Sequence, residues 1–389
     1  MTRSVLVVNH FAVPRNSPGG TRHVDLFSRL QGWRYVIVAS KLNHLTGKVQ
    51  VAAPGFAPVS VTAYSTNGMR RIVNWVSFAV SAFAFAVRQR QVDVVYASSP
   101  HLLAGLSGWL VASVRRRPFV LEVRDLWPKV LVDMGHMAWD SPIVRFLEWM
   151  EAFLYARATR IVVLAAGSRD ELEKRGIDSD KIVFIPNGAD TANFVPSAPR
   201  EVLRDRYMFT RFTAVYAGAH GPANGLEFVL DAAADLADRS VDLVLVGGGV
   251  AKPALVKAAA DRGLDNVRFL DPVPKDEVPD ILHAADLGLH VLADVDLFRT
   301  AVSPNKLYDY MAAGLPVVTN CPGLVTDLVR LADCGFAVSP TQLAEGIRRA
   351  MTVDITQRGE NGRDWIKSHQ SLEAMAERLS SVLDSVSKR

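Results

Sequence analysis

The sequence predicts an α/β protein built from two Rossmann-like domains, and three observations carry that reading. Short apolar runs of strand length alternate with helical segments along nearly the whole chain. The runs are apolar throughout, as strands covered by helices on both faces of a parallel sheet must be. The alternation stops near residue 195 and then restarts, so there are two βαβα series. A length of 389 residues accommodates two such domains.

The first series has its strands at 4–8 (SVLVV), 35–39 (YVIVA), 92–97 (VDVVYA), 119–123 (FVLEV) and 160–165 (RIVVLA). The opening run meets Asn9 and His10 too soon for a signal peptide and reads as a first buried strand. The second series places strands at 212–219, 241–247, 267–270, 287–292 and 316–319. The division expected is an N-terminal domain of 1–195 and a C-terminal domain of 196–370. In the last segment, 371–389, Leu372, Met375, Leu379, Val382, Leu383 and Val386 fall on one helical stripe. That stripe predicts an amphipathic helix packed on a domain, expected to be the N-terminal one.

Two cysteines, Cys321 and Cys334, with no CxxC spacing, fit a reducing cytosol and argue against a disulfide framework. The net charge of +4 hides an asymmetry: residues 1–190 hold 23 Lys/Arg against 14 Asp/Glu, and the remainder is acidic. A basic first half suits an anionic partner, whether a membrane surface, a phosphorylated substrate or nucleic acid. Nucleic acid fits least, because the arginines are scattered without interleaved stacking aromatics. The longest uncharged run, Ile72 to Val87, is 16 residues, short of the ~20 that span a bilayer. It fits either a helix packed inside the first domain or one that enters the membrane interface with Arg70, Arg71, Arg88 and Arg90 at the headgroups.

In parallel sheets ligands bind beyond the C-terminal strand ends. Four segments fall there. NSPGGTRHVDL (16–26) offers Gly19 and Gly20 for close backbone approach and Arg22 and His23 in the first turn of a helix, or is a plain loop. EVRDLWPKV (122–130) puts Arg124 and Asp125 at a strand mouth, where they orient a sugar or form a structural ion pair. YAGAHGPANGLEF (216–228), with Gly218, Gly221 and Gly225, and the GGG at 247–249 (Gly247, Gly248 and the next) offer backbone N–H groups to a diphosphate. The fourth is SPNKLYDYMAAG (303–314). Ser303 caps a helix there, Pro304 takes its first position, and Asn305, Lys306 and Leu307 follow. A lysine at a helix N-terminus is disfavoured by the dipole, so its placement calls for an anion. Asp309 either accepts the hydroxyls of a ribose or pairs with Lys306. Asp294 and Asp296 form a DxD, but no histidine or acid cluster has metal-ligand spacing, so no metal site is expected.

Taken together, PGG, RDLWP, IPNGAD, YAG…G…G, GGG and SPNKLYDYMAAGLPVV resemble a retaining glycosyltransferase of family GT4 with the GT-B fold, two Rossmann-like domains facing each other across a cleft. RDLWP with SPNKLxxYMAAG looks closest to bacterial surface-polysaccharide transferases, including those that add N-acetylfucosamine. The resemblance implies a UDP-sugar on the C-terminal domain, along Ser303 to Leu307, with Asp309 on the ribose. It implies an acceptor on the N-terminal domain near Gly19, Gly20, Arg22 and His23, and chemistry at Arg124, Asp125 and Lys306. The chain departs from the family pattern at Ala301, where a glutamate usually contacts the sugar, and at Ala219 and Asn224, where an arginine and a lysine usually meet the diphosphate. Arg124 stands in place of a common histidine. The implied function is metal-independent transfer of an N-acetylated hexosamine or deoxyhexosamine to a lipid-linked or polysaccharide acceptor, by a cytoplasmic enzyme peripheral to the inner membrane face. A nucleotide-sugar epimerase and an inactive partner subunit share the same architecture.

Overall fold

The computed structural model describes residues 2–50, 53–64, 68–135, 137–237 and 241–387. The chain divides into two compact units: Met1–Pro186 with Glu373–Arg389, and Asn187–Leu372.

The first unit runs β1 (Arg3–Val8), α1 (Arg22–Phe27), β2 (Trp33–Ser40), β3 (Phe56–Val59), α2 (Met69–Ala86), β4 (Val94–Ser98) and α3 (Leu102–Arg115). It continues with β5 (Phe119–Val123), α4 (Lys129–Asp133), α5 (Pro142–Arg157), β6 (Arg160–Val163), α6 (Ala166–Lys174) and β7 (Ile182–Phe184). These strands form one parallel sheet in the order β3-β2-β1-β4-β5-β6-β7. β4 and β5 are buried at every position, and so are the last four residues of β1, which is why their sequences lack alternation.

The second unit opens with α7 (Arg200–Tyr207), β8 (Phe212–Ala217), α8 (Glu227–Asp235), β9 (Val241–Val246), α9 (Lys252–Asp261), β10 (Val267–Leu270) and α10 (Val278–Ala284). It closes with β11 (Leu287–His290), α11 (Asn305–Ala313), β12 (Val317–Thr319), α12 (Leu324–Leu331), β13 (Gly335–Ala337), α13 (Leu343–Thr352) and α14 (Thr356–His369). Its parallel sheet has the order β10-β9-β8-β11-β12-β13. In both sheets the order reverses once, between β1 and β4 and between β8 and β11. Loops leaving those strands diverge to opposite faces and open a crevice at the switch point.

The division falls nine residues earlier than the sequence placed it. Phe194 is buried in the second unit's core with Leu203 and Ile281, and the Ala189 amide donates to the Gln370 carbonyl (3.0 Å). The last helix, α15 (Leu372–Ser387), belongs to the first unit from Glu373 onward. Its stripe is buried, and Arg3 pairs with Asp384 (2.5 Å) while Arg29 pairs with Glu373 (2.9 Å). α2 packs one face against its own unit and leaves the other to solvent. Phe78, Ala82 and Ala86 pack inward, whereas Ile72, Val73, Val76 and Val80 are exposed. No helix among the described residues is long and apolar enough to cross a membrane.

Leu383 on α15 is fully buried. Leu383→Ala is expected to destabilise the protein by about 2–5 kcal/mol in urea unfolding followed by circular dichroism, the range for a leucine removed from a packed core.

Candidate active site

The switch point of the second unit gathers three segments. The first is the loop after β8. The Gly218 amide donates to the Val246 carbonyl (2.9 Å), and the His220 amide to the Gly248 carbonyl (2.8 Å). The second is the triple glycine after β9. A Cβ on Gly247 would fall 1.9 Å from the Gly218 oxygen, and one on Gly249 would fall 2.4 Å from the His220 oxygen. Both residues have positive φ, 146° and 147°, so only glycine lets these two loops lie against each other. The third is the start of α11.

No side chain caps α11, and its N-cap is Pro304. Ser303 therefore does not cap this helix, contrary to expectation. Its hydroxyl accepts instead from the Asn187 amide and its carbonyl from the Asn187 side chain, both at 3.0 Å. The Asn305 amide donates to the Ser303 carbonyl (3.1 Å), and the Lys306 and Leu307 N–H groups follow it at the positive end of the helix, where an anion is favoured. Asn305 is exposed there, and Leu307 is a core residue, so only its backbone faces the site. The tyrosines explain why the helix stays put. Tyr310 accepts from the Ala217 amide (2.9 Å), and its ring lies where a Cβ on Gly288 would be.

Lys306 reaches into the glycine loops. Its stem passes where a Gly218 Cβ would sit, 2.3 Å from Cε. Its ammonium donates to the Asn224 amide oxygen (3.0 Å) and lies 5.2 Å from the Tyr216 ring centre. Burial pulls its pKa down to about 8, with the field of Asp309 pulling the other way. Asp309 forms its ion pair with Lys275, not with Lys306. Lys275 was not singled out by the sequence reading. A second cation nearby, Lys252, is tied to the Gly247 and Leu270 carbonyls and to Asp271. Asp294 and Asp296 both pair with Arg299. Among the described residues no group of three or more His, Cys, Asp or Glu is placed to hold a metal ion.

In the first unit, Arg22 and His23 are buried and face inward. Arg22 donates to Glu122 (2.9 Å) and to the carbonyls of Ile185 (2.8 Å) and Pro186 (2.7 Å). His23 donates to Glu122 (2.9 Å) and accepts from Asn9 (3.0 Å). Tyr96 and Ser98 complete the shell around Glu122 at 2.7 and 2.8 Å. Burial pushes the Glu122 carboxyl up, but Arg22 and His23 outweigh it and hold it well below the usual carboxylate range. Glu122 is thus the hub that the sequence reading passed over. Gly20 is exposed, and Gly19 has a φ of 138°.

Around the strand ends of this sheet lies an aromatic and histidine cluster, also missed. His10 stacks on Phe11 and Phe78 and bonds to His101 (2.8 Å). His101 stacks on Trp75, which meets Trp127 edge-on at 5.7 Å. The indole N–H groups of Trp75 and Trp127 have no acceptor among the described residues. Arg71 lies over Trp75 (5.2 Å). Arg124, half-buried, and exposed Asp125 are two or three positions before Trp127. Burial lowers the pKa of His10 to about 2 and of His101 to about 3, helped by the charge of Arg71; His44 is lowered to about 4, helped by Arg124 and Arg71.

Two Rossmann-like units, with glycine loops and an uncapped helix end meeting at a switch point, are the architecture of a GT-B glycosyltransferase. Residues 28–188 match the family described as glycosyl transferase 4-like domain, and residues 211–353 match glycosyl transferases group 1. The chain belongs to the GT4-type glycosyltransferases. It is 27% identical over 299 residues to an Escherichia coli protein named as the colanic acid biosynthesis glycosyl transferase WcaI, covering 73% of this chain and 72% of that one. It is 26% identical over 265 residues to Pseudomonas aeruginosa WbjE, named as a glycosyltransferase, covering 65% of this chain but only 64%, less than two thirds, of that one. Its fold resembles that of Anabaena HepE, solved with UDP-glucose, with a TM-score of 0.73 at 16% identity over 98% of this chain and 99% of that one.

His220 and His290 in the second unit are also held neutral by burial, at about 4 and about 3. With His10, His44 and His101 they take up protons only on unfolding, so stability is full above the ordinary histidine pKa of ~6.5 and is lost as pH falls below it. Glu151, pushed up to about 7 by burial, and Asp125, also raised by desolvation, act in the opposite sense but are outnumbered. The melting temperature is expected to drop by more than about 5 °C between about pH 7 and 5.5 in a thermal scan.

Proposed function

We propose that the chain transfers a sugar, an N-acetylated hexosamine or deoxyhexosamine, from a UDP-sugar to a lipid-linked or polysaccharide acceptor. The setting would be bacterial cell-surface glycan synthesis at the inner membrane face. The observation that carries the reading is Lys306. Its ammonium is partly desolvated beside an uncapped helix N-terminus and two glycine loops, in contact with a neutral amide and a tyrosine face and with Asp309, paired to Lys275, offsetting only part of that burial. A partly buried cation without full compensation is costly, and a diphosphate supplies the missing charge.

In this reading Gly218, Gly221, Gly247 and Gly248 let the diphosphate approach, and Ser303 to Leu307 offer it backbone along α11. Asp309, oriented by Lys275, keeps lone pairs for the ribose hydroxyls. As the bond from the sugar's anomeric carbon to the β-phosphate breaks, negative charge gathers on the phosphate oxygen. Lys306 and the first-turn N–H groups are already oriented to stabilise it. The acceptor oxygen bonds to the anomeric carbon on the face the phosphate leaves and gives its proton to that departing phosphate oxygen, which retains configuration and needs no metal. The acceptor lies on the first unit near Gly19, Gly20, Arg124 and Asp125, with Arg22 and His23 acting as positioning residues through Glu122.

UDP is expected to raise the melting temperature equally with EDTA and with magnesium. At ~100 times its dissociation constant a ligand adds ~2.7 kcal/mol. A rise with GDP alone would change the donor, and no rise with any nucleotide would favour an inactive partner. Lys306→Ala is expected to lower kcat at least about tenfold with the unfolding midpoint unchanged. Unaltered turnover would move the diphosphate cation elsewhere.

The pKa of Lys306 yields a separate expectation. UDP binds the protonated lysine, so its affinity should be flat below about pH 8 and weaken up to about tenfold per unit above it. In Lys306→Ala that slope should vanish.

A further inference from the structure

We propose that the outward face of α2, α3 and α5 is a docking surface for an anionic lipid bilayer. Right-handed crossovers in the observed strand order put these three helices on one face of the first sheet and α1 on the other. They lie side by side. The Ser107 hydroxyl donates to the Ala79 carbonyl (3.0 Å), and Arg115 donates to the Val87 carbonyl (3.0 Å), which ties α3 to α2. A Cβ on Gly105 would meet Leu154 at 3.1 Å, and Trp109 meets Phe153 edge-on at 4.7 Å, which ties α3 to α5.

The sides turned to solvent are apolar where a soluble helix would be polar. On α2, Ile72, Val73, Val76 and Val80 form one stripe, with Val80 63% exposed. On α3, Val114 is 61% exposed. On α5, Ile143, Phe146 and Trp149 follow at helical spacing, with Trp149 61% exposed. Scattered apolar residues need no explanation, but a continuous set across three helices does.

Charge selects the occupant. From residue 69 to 117 the chain carries seven arginines, no lysine and one acid, Asp93, and α5 adds two arginines and two acids, of which Glu148 is exposed and Glu151 buried. Arg70 and Arg88 are exposed at the two ends of α2, Arg116 and Arg117 at the end of α3, and Arg145 and Arg157 on or at the end of α5. Apolar stripes with tryptophan, edged by arginines, match an acidic lipid surface, with the apolar side chains below the phosphates and the guanidiniums among them. A second copy of this positively charged face would instead repel it.

The test is independent of sugar transfer, so it can fail while the enzyme reading stands. The full-length protein is floated with vesicles of phosphatidylcholine alone or with about 30% phosphatidylglycerol, in about 0.1 M and 0.5 M salt. Binding should require the anionic lipid and weaken at high salt. Phe146→Glu with Trp149→Glu, and separately Arg116→Glu with Arg117→Glu, should each cut binding at least about tenfold, given roughly fivefold per arginine. Both variants should keep the melting temperature and the UDP response, because these side chains are exposed. Failure to bind anionic vesicles, or binding unchanged in both variants, would overturn the proposal. So would a concentration-dependent dimer, seen by light scattering, that Trp149→Glu dissolves, since that would assign the face to a second copy.

Discussion

Parallel strand pairing is the constraint from which the rest follows. Neighbouring parallel strands can be joined only by a chain that recrosses the sheet, so every strand leaves its sheet at the same edge. Function can then be built from sequence-distant loops without special folding of any of them. In the second unit the loops after β8, β9 and β11 meet because the order β10-β9-β8-β11 makes their strands neighbours. The same logic brings the ends of β1, β4 and β5 together in the first unit, with His10, His101 and Trp127 among the residues that follow them. A crossover helix is also forced onto a defined face, which is how α2, α3 and α5 come to share one.

Two desolvated charges show what separates scaffold from site. Glu122 is wholly enclosed and receives hydrogen bonds from Arg22, His23, Tyr96 and Ser98. Its charge is satisfied within the unit, and through Arg22 it fixes Ile185 and Pro186, the last residues before the second unit begins. Lys306 is only half-buried but has far less compensation, and its lowered pKa is the trace of that deficit. The deficit can persist only because α11 is held independently of it. Tyr310 is anchored to β8 and β11, and Asn187 grips Ser303 twice.

How much of this was legible in the sequence follows from how local each signal is. The central strands were readable because full burial leaves an unbroken apolar run. β3, β7 and β13 were not, and all three are edge strands, short and partly exposed. β3 even contains Pro58, which an edge tolerates and a central strand does not. Lys306 was legible because serine, proline and glycine mark the limits of α11. The partner of Asp309 was not, because Lys275 lies 34 positions away. Arg22 and His23 were read as facing a ligand for the same reason: nothing in residues 16–26 announces Glu122 about 100 positions later. On α5 the aromatics are visible in sequence, but periodicity alone does not say that Phe146 and Trp149 point away from the sheet.

The uncharged residues at Ala219 and Asn224 bear on how the site holds its charge. Lys306 already has a pKa of about 8 with an amide oxygen as its neighbour. A lysine at position 224 would place two cations within hydrogen-bonding reach of each other, and repulsion would push Lys306 lower still. The Asn224 carbonyl does the opposite, accepting from the ammonium and favouring its charged form. The neutral loop is therefore what allows one desolvated lysine to stay protonated near neutral pH. Asp309, drawn toward Lys275, stays close enough to support the lysine's charge without neutralising it.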